Sequence, residues 1–246
     1  MQRHRRIYLL GGSFNPPGLH HERVIDGLQS LCKDDDLIVI IPCGMRPDKE
    51  RTNDVDPGHR AAMAQLAFAH LDRVELDLSD LERPEFTRTW DLDARYRERY
   101  PDADIWHVVG TDLVDGGASR QSEIHRWHRG MELFLNRSFV VVTRETPVVS
   151  SIDFPRDHCI LDLLVRGSSS MIRSLRGERQ DITHLMTPAV NRYIERWHLY
   201  TGRSTLDLVD WRPSGRAIIV PMQPDPENPN PQREARAREL VALAER

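Results

Sequence analysis

Five short apolar runs, separated by segments with helical periodicity, constrain the fold of this 246-residue chain more than any other feature. Each run is continuously apolar and does not alternate with polar residues, which predicts strands that are covered on both faces. Strands of this kind belong to a mainly parallel sheet, so the pattern predicts a doubly wound, Rossmann-like α/β fold with helices on both faces. The five predicted strands are Ile7–Leu10, Leu37–Pro42, Arg73–Leu78, Ile105–Val109 and Phe139–Thr143.

Cap residues and prolines mark the helices expected between these strands. Asp56 can cap a helix that has Pro57 in its first turn. Helices are also predicted over about 89–100 and over 186–199. Another helix is predicted to begin near Glu22, shortly after the first strand.

The composition changes after residue 200, which predicts a main domain over 1–200 and an extension over 201–246. Residues 221–231 hold five prolines, a content typical of an extended linker. The apolar run 217–220 is a candidate edge strand. Residues 232–246, rich in Arg, Glu, Ala and Leu, are a candidate short amphipathic helix.

Charge, cysteine content and hydropathy exclude several classes of protein. A formal net charge of −4 provides no broad basic field, so binding to nucleic acid is not expected. No stretch approaches the length of a membrane span. Three cysteines form no C-x-x-C pair, which fits unpaired thiols in a reducing cytosol and predicts a cytoplasmic protein. His125 and His128 have no evident third ligand, so no metal site is predicted.

The first strand stops at Gly11 and Gly12, and the sequence S-F-N-P-P-G-L-H-H follows. Paired glycines let backbone N–H groups approach a ligand closely, because no Cβ blocks the approach. His20 and His21, at the start of the following helix, can donate to phosphate oxygens where the helix N-terminus already favours an anion. The segment therefore predicts a nucleotide phosphate site after the first strand.

A second cluster has related chemistry. Ser168, Ser169 and Ser170 precede an apolar-periodic stretch, and hydroxyls in that position suit a helix N-cap and hydrogen bonds to phosphate. Arg173, about one turn into the helix, can reach back toward phosphate oxygens. Taken alone, the cluster is also compatible with a capped loop that binds nothing.

Together the two segments resemble the motifs of nicotinate/nicotinamide mononucleotide adenylyltransferases, in the nucleotidylyltransferase superfamily. That family carries G-G-S/T-F-D/N-P-x-H-x-G-H after its first strand and S-S/T-T-x-I/V-R late in the domain. The early motif is matched over Gly11–Pro17 and at His21, and the late one at Ser168–Ser170, Ile172 and Arg173. The likeness extends over about residues 7–200.

The resemblance implies that a mononucleotide phosphate attacks the α-phosphorus of ATP, giving a dinucleotide and pyrophosphate in NAD biosynthesis. Its substrates would be ATP and a pyridine mononucleotide, with Mg²⁺ bridging the phosphates. It implies catalytic roles for His21, Arg173 and His20. It implies ATP contacts for Gly11, Gly12, Ser13, Phe14, His20, His21, Lys49, Gly110, Asp112, Ser168, Ser169, Ser170 and Arg173. It implies mononucleotide contacts for Asn15, Thr87, Trp90, Trp127 and Arg144.

The chain departs from the early motif at two positions. Gly18 stands where the family has its first histidine, and His20 stands where the family has a glycine. Either His20 takes over the missing donor role, or its ring narrows the adenosine site and alters or removes activity. Another nucleotidylyltransferase of the same fold and a nucleotide-binding module without catalysis therefore stay open. The preference for nicotinate or nicotinamide, the role of the extension and homo-oligomer formation stay open as well.

Overall fold

A computed structural model describes residues 5–44, 55–83, 86–144, 151–201 and 219–221 of the chain. The strands within these ranges are β1 (Arg5–Gly12), β2 (Leu37–Pro42), β3 (Val74–Asp77), β4 (Ala103–Gly110), β5 (Ser138–Arg144), β6 (Asp157–Val165) and β7 (Ile219–Pro221). The helices are α1 (Leu19–Leu31), α2 (Pro57–Phe68), α3 (Thr89–Arg99), α4 (Thr111–Val114), α5 (Glu123–Arg126), α6 (Gly130–Asn136), α7 (Ser169–Gly177) and α8 (Pro188–Arg196).

The strands form one sheet in the order β6-β5-β4-β1-β2-β3-β7. β4 is parallel to β1 and to β5, and β5 is parallel to β6, whereas β7 at the other edge runs antiparallel to β3. Without β7 the order is 3-2-1-4-5-6, that of dinucleotide-binding doubly wound sheets. The predicted Rossmann-like α/β fold is therefore confirmed, and the candidate edge strand at 217–220 overlaps β7.

Four of the predicted strands agree with the structure to within two residues at each end, and the first runs two residues further at both ends. β6 was not predicted from the sequence, because Asp157, His158 and Asp162 interrupt its apolar pattern. The start predicted for α1, near Glu22, is too late. The backbone N–H of His21 donates to the carbonyl of Gly18 over 2.8 Å, so the helix begins at Leu19 and both histidines lie in its first turn.

The chain divides into two compact units. The first comprises Met1–Leu10, Arg23–Val39 and Thr87–Arg166, and the second comprises Gly11–Glu22, Ile40–Phe86 and Gly167–Arg246. The predicted boundary at residue 200 is followed by residues that lie outside the described ranges, except for 201 and 219–221. That boundary and the predicted helix at 232–246 therefore stay predictions. None of the helices in the described part of the chain is long and apolar enough to cross a membrane.

The first unit has a core built on its parallel strands. Phe139, Val140 and Val141 of β5 are fully buried. A cluster of buried residues extends this core to the helices after β4; its members are Val109, Val114, Ile124, Leu133, Phe134, Phe139, Val141 and Phe154.

The second unit contains the mainly apolar helix α2, whose N-terminus is capped. Asp56 accepts a hydrogen bond from the N–H of Gly58 over 2.7 Å, as predicted for the start of α2.

Candidate active site

The segment Ser13–Gly18, called the motif loop from here on, connects β1 to α1. Phe14 has a φ of 43°, in the left-handed region that residues with a Cβ rarely adopt. Its buried ring lies 4.8 Å from the ring of His21 and 5.4 Å from that of Phe68, measured between centroids. A Cβ on Gly12 would come within 3.1 Å of this ring, a tight contact that the ring of Phe14 would have to relieve by a small shift. Gly11 has open space at that position.

The carbonyl groups of β1 and the motif loop accept hydrogen bonds from residues of the second unit. The carbonyl of Gly12 accepts from the N–H of Cys43 over 2.8 Å. That of Ser13 accepts from Nε and Nη2 of Arg60 over 3.0 and 2.8 Å. The carbonyl oxygens that could repel a phosphate at these positions are therefore already engaged by donors.

The late serine cluster meets the motif loop in the same unit. Nη1 of Arg173 donates to the carbonyl of Asn15 over 2.6 Å, and Oγ of Ser169 donates to the carbonyl of Pro16 over 2.8 Å. Ser168 caps α7 by accepting from the N–H of Met171, which confirms the helix cap predicted for the run Ser168–Ser170. Ser170 is exposed in the first turn of α7. The structure thus brings together two motifs that are about 150 residues apart in sequence.

His20 and His21 form an imidazole pair whose ring centroids are 3.9 Å apart. Nδ1 of His21 accepts a hydrogen bond from the N–H of Gly18 over 3.1 Å. A ring nitrogen that accepts cannot carry the proton, so the neutral His21 ring carries it on Nε2. His21 therefore has the tautomer required of a donor through Nε2.

The side chain of His20 lies against the position that distinguishes this chain from the motif it resembles. A Cβ on Gly18 would lie 2.8 Å from Nδ1 of His20 and 2.8 Å from Cδ1 of Ile172. Real Cβ atoms do not approach other atoms so closely. The glycine at 18 and the histidine at 20 therefore fit each other sterically.

Asn15 is fully buried, and Oδ1 of its side chain accepts a hydrogen bond of 2.5 Å from the hydroxyl of Tyr200. Burial raises the pKa of Tyr200, and the positive charges of Arg173 and Arg60 oppose this shift only partly. Tyr200 therefore remains a protonated donor at neutral pH. Tyr200 therefore holds the side chain of Asn15 in place, and the contact of Asn15 with the mononucleotide stays a prediction.

The remaining predicted site residues belong to the first unit or lie outside the described ranges. Trp90 and Trp127 are partly buried and pack against the same apolar cluster. The guanidinium carbon of Arg129 lies 3.9 Å from the centre of the Trp90 ring, and that of Arg137 lies 4.9 Å away. Gly110 precedes α4, and Asp112 lies in the first turn of that helix. Thr87 precedes α3, and Arg144 ends β5. Lys49 lies outside the described residues.

Two residues at the motif loop were not identified as site residues from the sequence. These residues are Arg60 and Tyr200. One signal for Arg60 was present, because R-A-A-M-A-Q-L-A-F offers this arginine no polar helix face. No local signal marks Tyr200, whose partner Asn15 is 185 residues away.

Metal binding by protein side chains alone is not indicated in the described residues. They contain no group of three or more His, Cys, Asp and Glu side chains that could hold a metal ion. A divalent cation such as Mg²⁺ commonly keeps several waters and binds through substrate phosphates, with only one or two carboxylates of the protein. The donor set of the motif loop is compatible with that mode of binding.

Comparison with known proteins gives consistent matches. The model of the cytidylyltransferase-like family matches residues 9–175. A probable nicotinate-nucleotide adenylyltransferase of Staphylococcus saprophyticus is 29% identical over 202 residues, which cover 80% of this chain and 98% of the relative. A protein of the same name from Pelobacter propionicus is 27% identical over 220 residues, with the same coverage. The structure of Plasmodium falciparum nicotinic acid mononucleotide adenylyltransferase complexed with NaAD is similar with a TM-score of 0.66 and 26% identity, over 80% of this chain and 98% of that one.

Proposed function

Because this chain belongs to the cytidylyltransferase-like family, we propose that it is an adenylyltransferase acting on a pyridine mononucleotide. In the proposed reaction it transfers AMP from ATP to nicotinate mononucleotide, as a step of NAD biosynthesis. The observation that carries the proposal is the meeting of His21, Ser169 and Arg173 at one loop after the first strand. The similarity to nicotinate-nucleotide adenylyltransferases supports nicotinate over nicotinamide as the base.

The chemistry requires positioning and charge neutralisation more than activation of a nucleophile. The 5′-phosphate of the mononucleotide is already ionised at neutral pH, and one of its oxygens attacks the α-phosphorus of ATP while pyrophosphate leaves. No covalent enzyme intermediate is needed. When bound, a divalent metal, which we propose to be Mg²⁺, neutralises charge on the phosphates of ATP.

The residues at the motif loop have defined roles in this proposal. Nε2–H of His21 donates to the α-phosphate, where negative charge increases in the transition state. His20 supplies the second imidazole, in place of the missing histidine at position 18. Arg173 uses Nη1 to hold the loop and retains further N–H donors for the β- and γ-phosphates. Ser13, Ser168, Ser170 and Lys49 are proposed as further ATP contacts.

The other assignments follow the resemblance and are proposals of the same kind. Gly110 and Asp112 would contact the nucleotide after β4. Thr87, Trp90, Trp127 and Arg144 would contact the mononucleotide. We also propose a cytoplasmic location and a transferase domain that ends near residue 200, which fits the 80% of the chain covered by its relatives.

A nucleotide-binding module without catalysis is the second candidate, and one observation favours it. His20 stands at a sequence position where the motif has a glycine, and a site narrowed by this side chain would bind nucleotide without productive geometry. Loss of a single phosphate donor costs about a hundredfold to a thousandfold in rate, which would weaken the activity without abolishing it. A steric block, by contrast, would abolish it.

A direct assay separates the candidates. The full chain is incubated with ATP, Mg²⁺ and either nicotinate or nicotinamide mononucleotide, and dinucleotide and pyrophosphate are quantified by chromatography. We expect both the dinucleotide and pyrophosphate with nicotinate mononucleotide. Binding of ATP without formation of either product would favour the non-catalytic module. In a parallel assay CTP replaces ATP, and turnover with CTP but not with ATP would indicate another nucleotidylyltransferase.

Replacement of His21 tests the mechanism. We expect His21→Ala to lower kcat by about 10²- to 10³-fold, because the transition state loses one preorganised donor. His184→Ala, at an exposed histidine in the short turn Thr183–Leu185, is the matched control and should keep full activity. Full turnover by the His21 variant would contradict the role assigned to this ring.

A further inference from the structure

Arg60 is a buried cation beneath the motif loop. Its side chain is 1% exposed, and it lies in α2, one turn after the cap residue Asp56. Besides its two bonds to the carbonyl of Ser13, Nη2 donates to the carbonyl of Cys43 over 2.5 Å and lies 3.8 Å from the sulfur of Cys43. The oxygen partners are backbone carbonyls, which carry no net charge.

The charge of Arg60 has no carboxylate within ion-pair distance among the residues that the structure describes. A buried charge is costly, and side-chain burial of arginine is ordinarily accompanied by compensating groups. Carbonyl oxygens compensate for part of the lost hydration but carry no net charge. An anion bound close to the motif loop would add to this compensation.

The hydrogen bonds of Arg60 also determine which way the loop's N–H groups point. The cis peptide bond of the described chain is Asn15–Pro16, so the Ser13–Phe14 peptide is trans. In a trans peptide the N–H points opposite to the C=O. Because the carbonyl of Ser13 points at Arg60, the N–H of Phe14 points away from it.

The preceding peptide repeats this orientation. The carbonyl of Gly12 accepts from the N–H of Cys43, so the N–H of Ser13 points away from Cys43. Arg60 also donates to the carbonyl of Cys43. The N–H groups of Ser13 and Phe14 therefore both point away from the buried donors of Arg60 and Cys43. Successive N–H groups in an αR-αL or turn conformation form an anion-binding concavity, and Phe14 has the positive φ of the second residue of such a pair. A guanidinium on the carbonyl of Ser13 additionally polarises the peptide and strengthens the N–H of Phe14 as a donor.

We propose that Arg60 is a positioning residue for the nucleotide, acting through the motif loop without touching the ligand. It directs the N–H groups of Ser13 and Phe14 toward the polyphosphate of the nucleoside triphosphate, and that anion supplies the counter-charge of the buried guanidinium. The inference deepens the proposed function and rests on it. Its ligand class is a polyphosphate, either the triphosphate of ATP or pyrophosphate.

The test compares charged and uncharged ligands on the full chain. Binding of ATP with Mg²⁺, pyrophosphate with Mg²⁺, and adenosine is measured by calorimetry for the wild type, Arg60→Met and Arg60→Lys. We expect Arg60→Met to weaken ATP and pyrophosphate binding by about tenfold or more, the scale of a unit charge acting on a polyanion through a protein interior. Adenosine binding should stay within about twofold. Arg192→Met, which removes an exposed arginine of α8, is the matched control and should bind all three ligands as the wild type does.

Arg60→Lys separates charge from geometry and provides a result if Arg60→Met does not fold. Lysine keeps the charge but cannot reproduce the forked contact with Ser13 and Cys43. Polyphosphate affinity should therefore fall less than in Arg60→Met but measurably below the wild type. Unchanged ATP affinity in both folded variants, or an equal loss for ATP and adenosine, would overturn the inference. A wild type that binds neither ATP nor pyrophosphate would instead overturn the proposed function.

Discussion

Gly18→Ala is the substitution for which the structure makes the sharpest quantitative prediction. Gly18 has no left-handed φ, so its backbone accepts an alanine. If the site had room, the change would stabilise the fold by about 0.4–1 kcal/mol, because alanine restricts the unfolded chain. The site has no room: the new Cβ would lie 2.8 Å from the His20 ring and 2.8 Å from Ile172.

The steric cost of the new methyl group decides whether Gly18→Ala stabilises or destabilises the fold. Ile172 is fully buried, and the His20 ring lies 3.9 Å from the His21 ring, so a shift of either neighbour disturbs contacts that it already makes. Insertion of a methyl group into such a site costs about 1–3 kcal/mol. The two terms together predict that Gly18→Ala lowers the free energy of unfolding by about 1–2 kcal/mol.

A double-mutant cycle with His20→Ala measures how much of this cost comes from the imidazole. In the wild type, atoms of His20 and Ile172 lie 2.8–2.9 Å from the position of the new Cβ. Without the His20 ring, Ile172 is the one of these two neighbours that remains. Gly18→Ala should then cost about 1 kcal/mol less than in the wild type, a coupling within the range for residues in contact. The free energy of unfolding is obtained from urea denaturation of the four proteins. His184→Ala, combined with Gly18→Ala, is the control cycle and should be additive.

Two outcomes would refute the steric reasoning. One is stabilisation of the wild type by Gly18→Ala, which would mean that His20 and Ile172 yield without cost. The other is additivity of the Gly18 and His20 changes to within about 0.5 kcal/mol, the scatter expected of independent sites.

Two further predictions concern stability. Burial by itself raises the pKa of Asp93, but bonds and charges from His107 and Arg97 outweigh it and lower the pKa to about 2. Because the pKa in the folded state lies below the ordinary value, the carboxylate stabilises the fold above about pH 4, and this stabilisation is lost as the pH falls toward 2. The free energy of unfolding, measured as a function of pH, should fall by about 2 kcal/mol over this range in the wild type but not in Asp93→Asn. Asp56→Ala removes the cap bond to Gly58 and should cost about 1 kcal/mol in urea denaturation, with Asp56→Asn retaining most of it.

The parallel strands were predictable from sequence because their residues are covered on both faces. The run over β2 is apolar at all six positions and is buried at all six, so its bounds were predicted without error. β6 lies at the edge of the sheet and pairs with β5 alone, so its pattern need not be continuous. Its Asp162 accepts a hydrogen bond from Oγ1 of Thr143, a pairing that no local pattern encodes.

The same distinction between local and distant partners applies to the site. Ser168 and Asp56 were predicted as caps because a cap binds an N–H only two or three residues away. The contacts of Arg60 and Tyr200 cross 47 and 185 residues. Sequence spacing contains no information on such contacts, and a buried arginine therefore reads as an ordinary helix residue until the fold is known.

The departure from the H-x-G-H motif illustrates what the fold adds. In the sequence, Gly18 and His20 are two separate changes, one removing an imidazole and one adding bulk. In the structure they are a single change, because the ring of His20 lies within 2.8–2.9 Å of the position of a Cβ at residue 18. A side chain at 18 would require this ring to shift, so in the observed arrangement the imidazole of His20 takes the space beside position 18. The number of imidazoles at the loop is thereby kept at the value in the motif, and this supports replacement of the missing donor more than obstruction of the site.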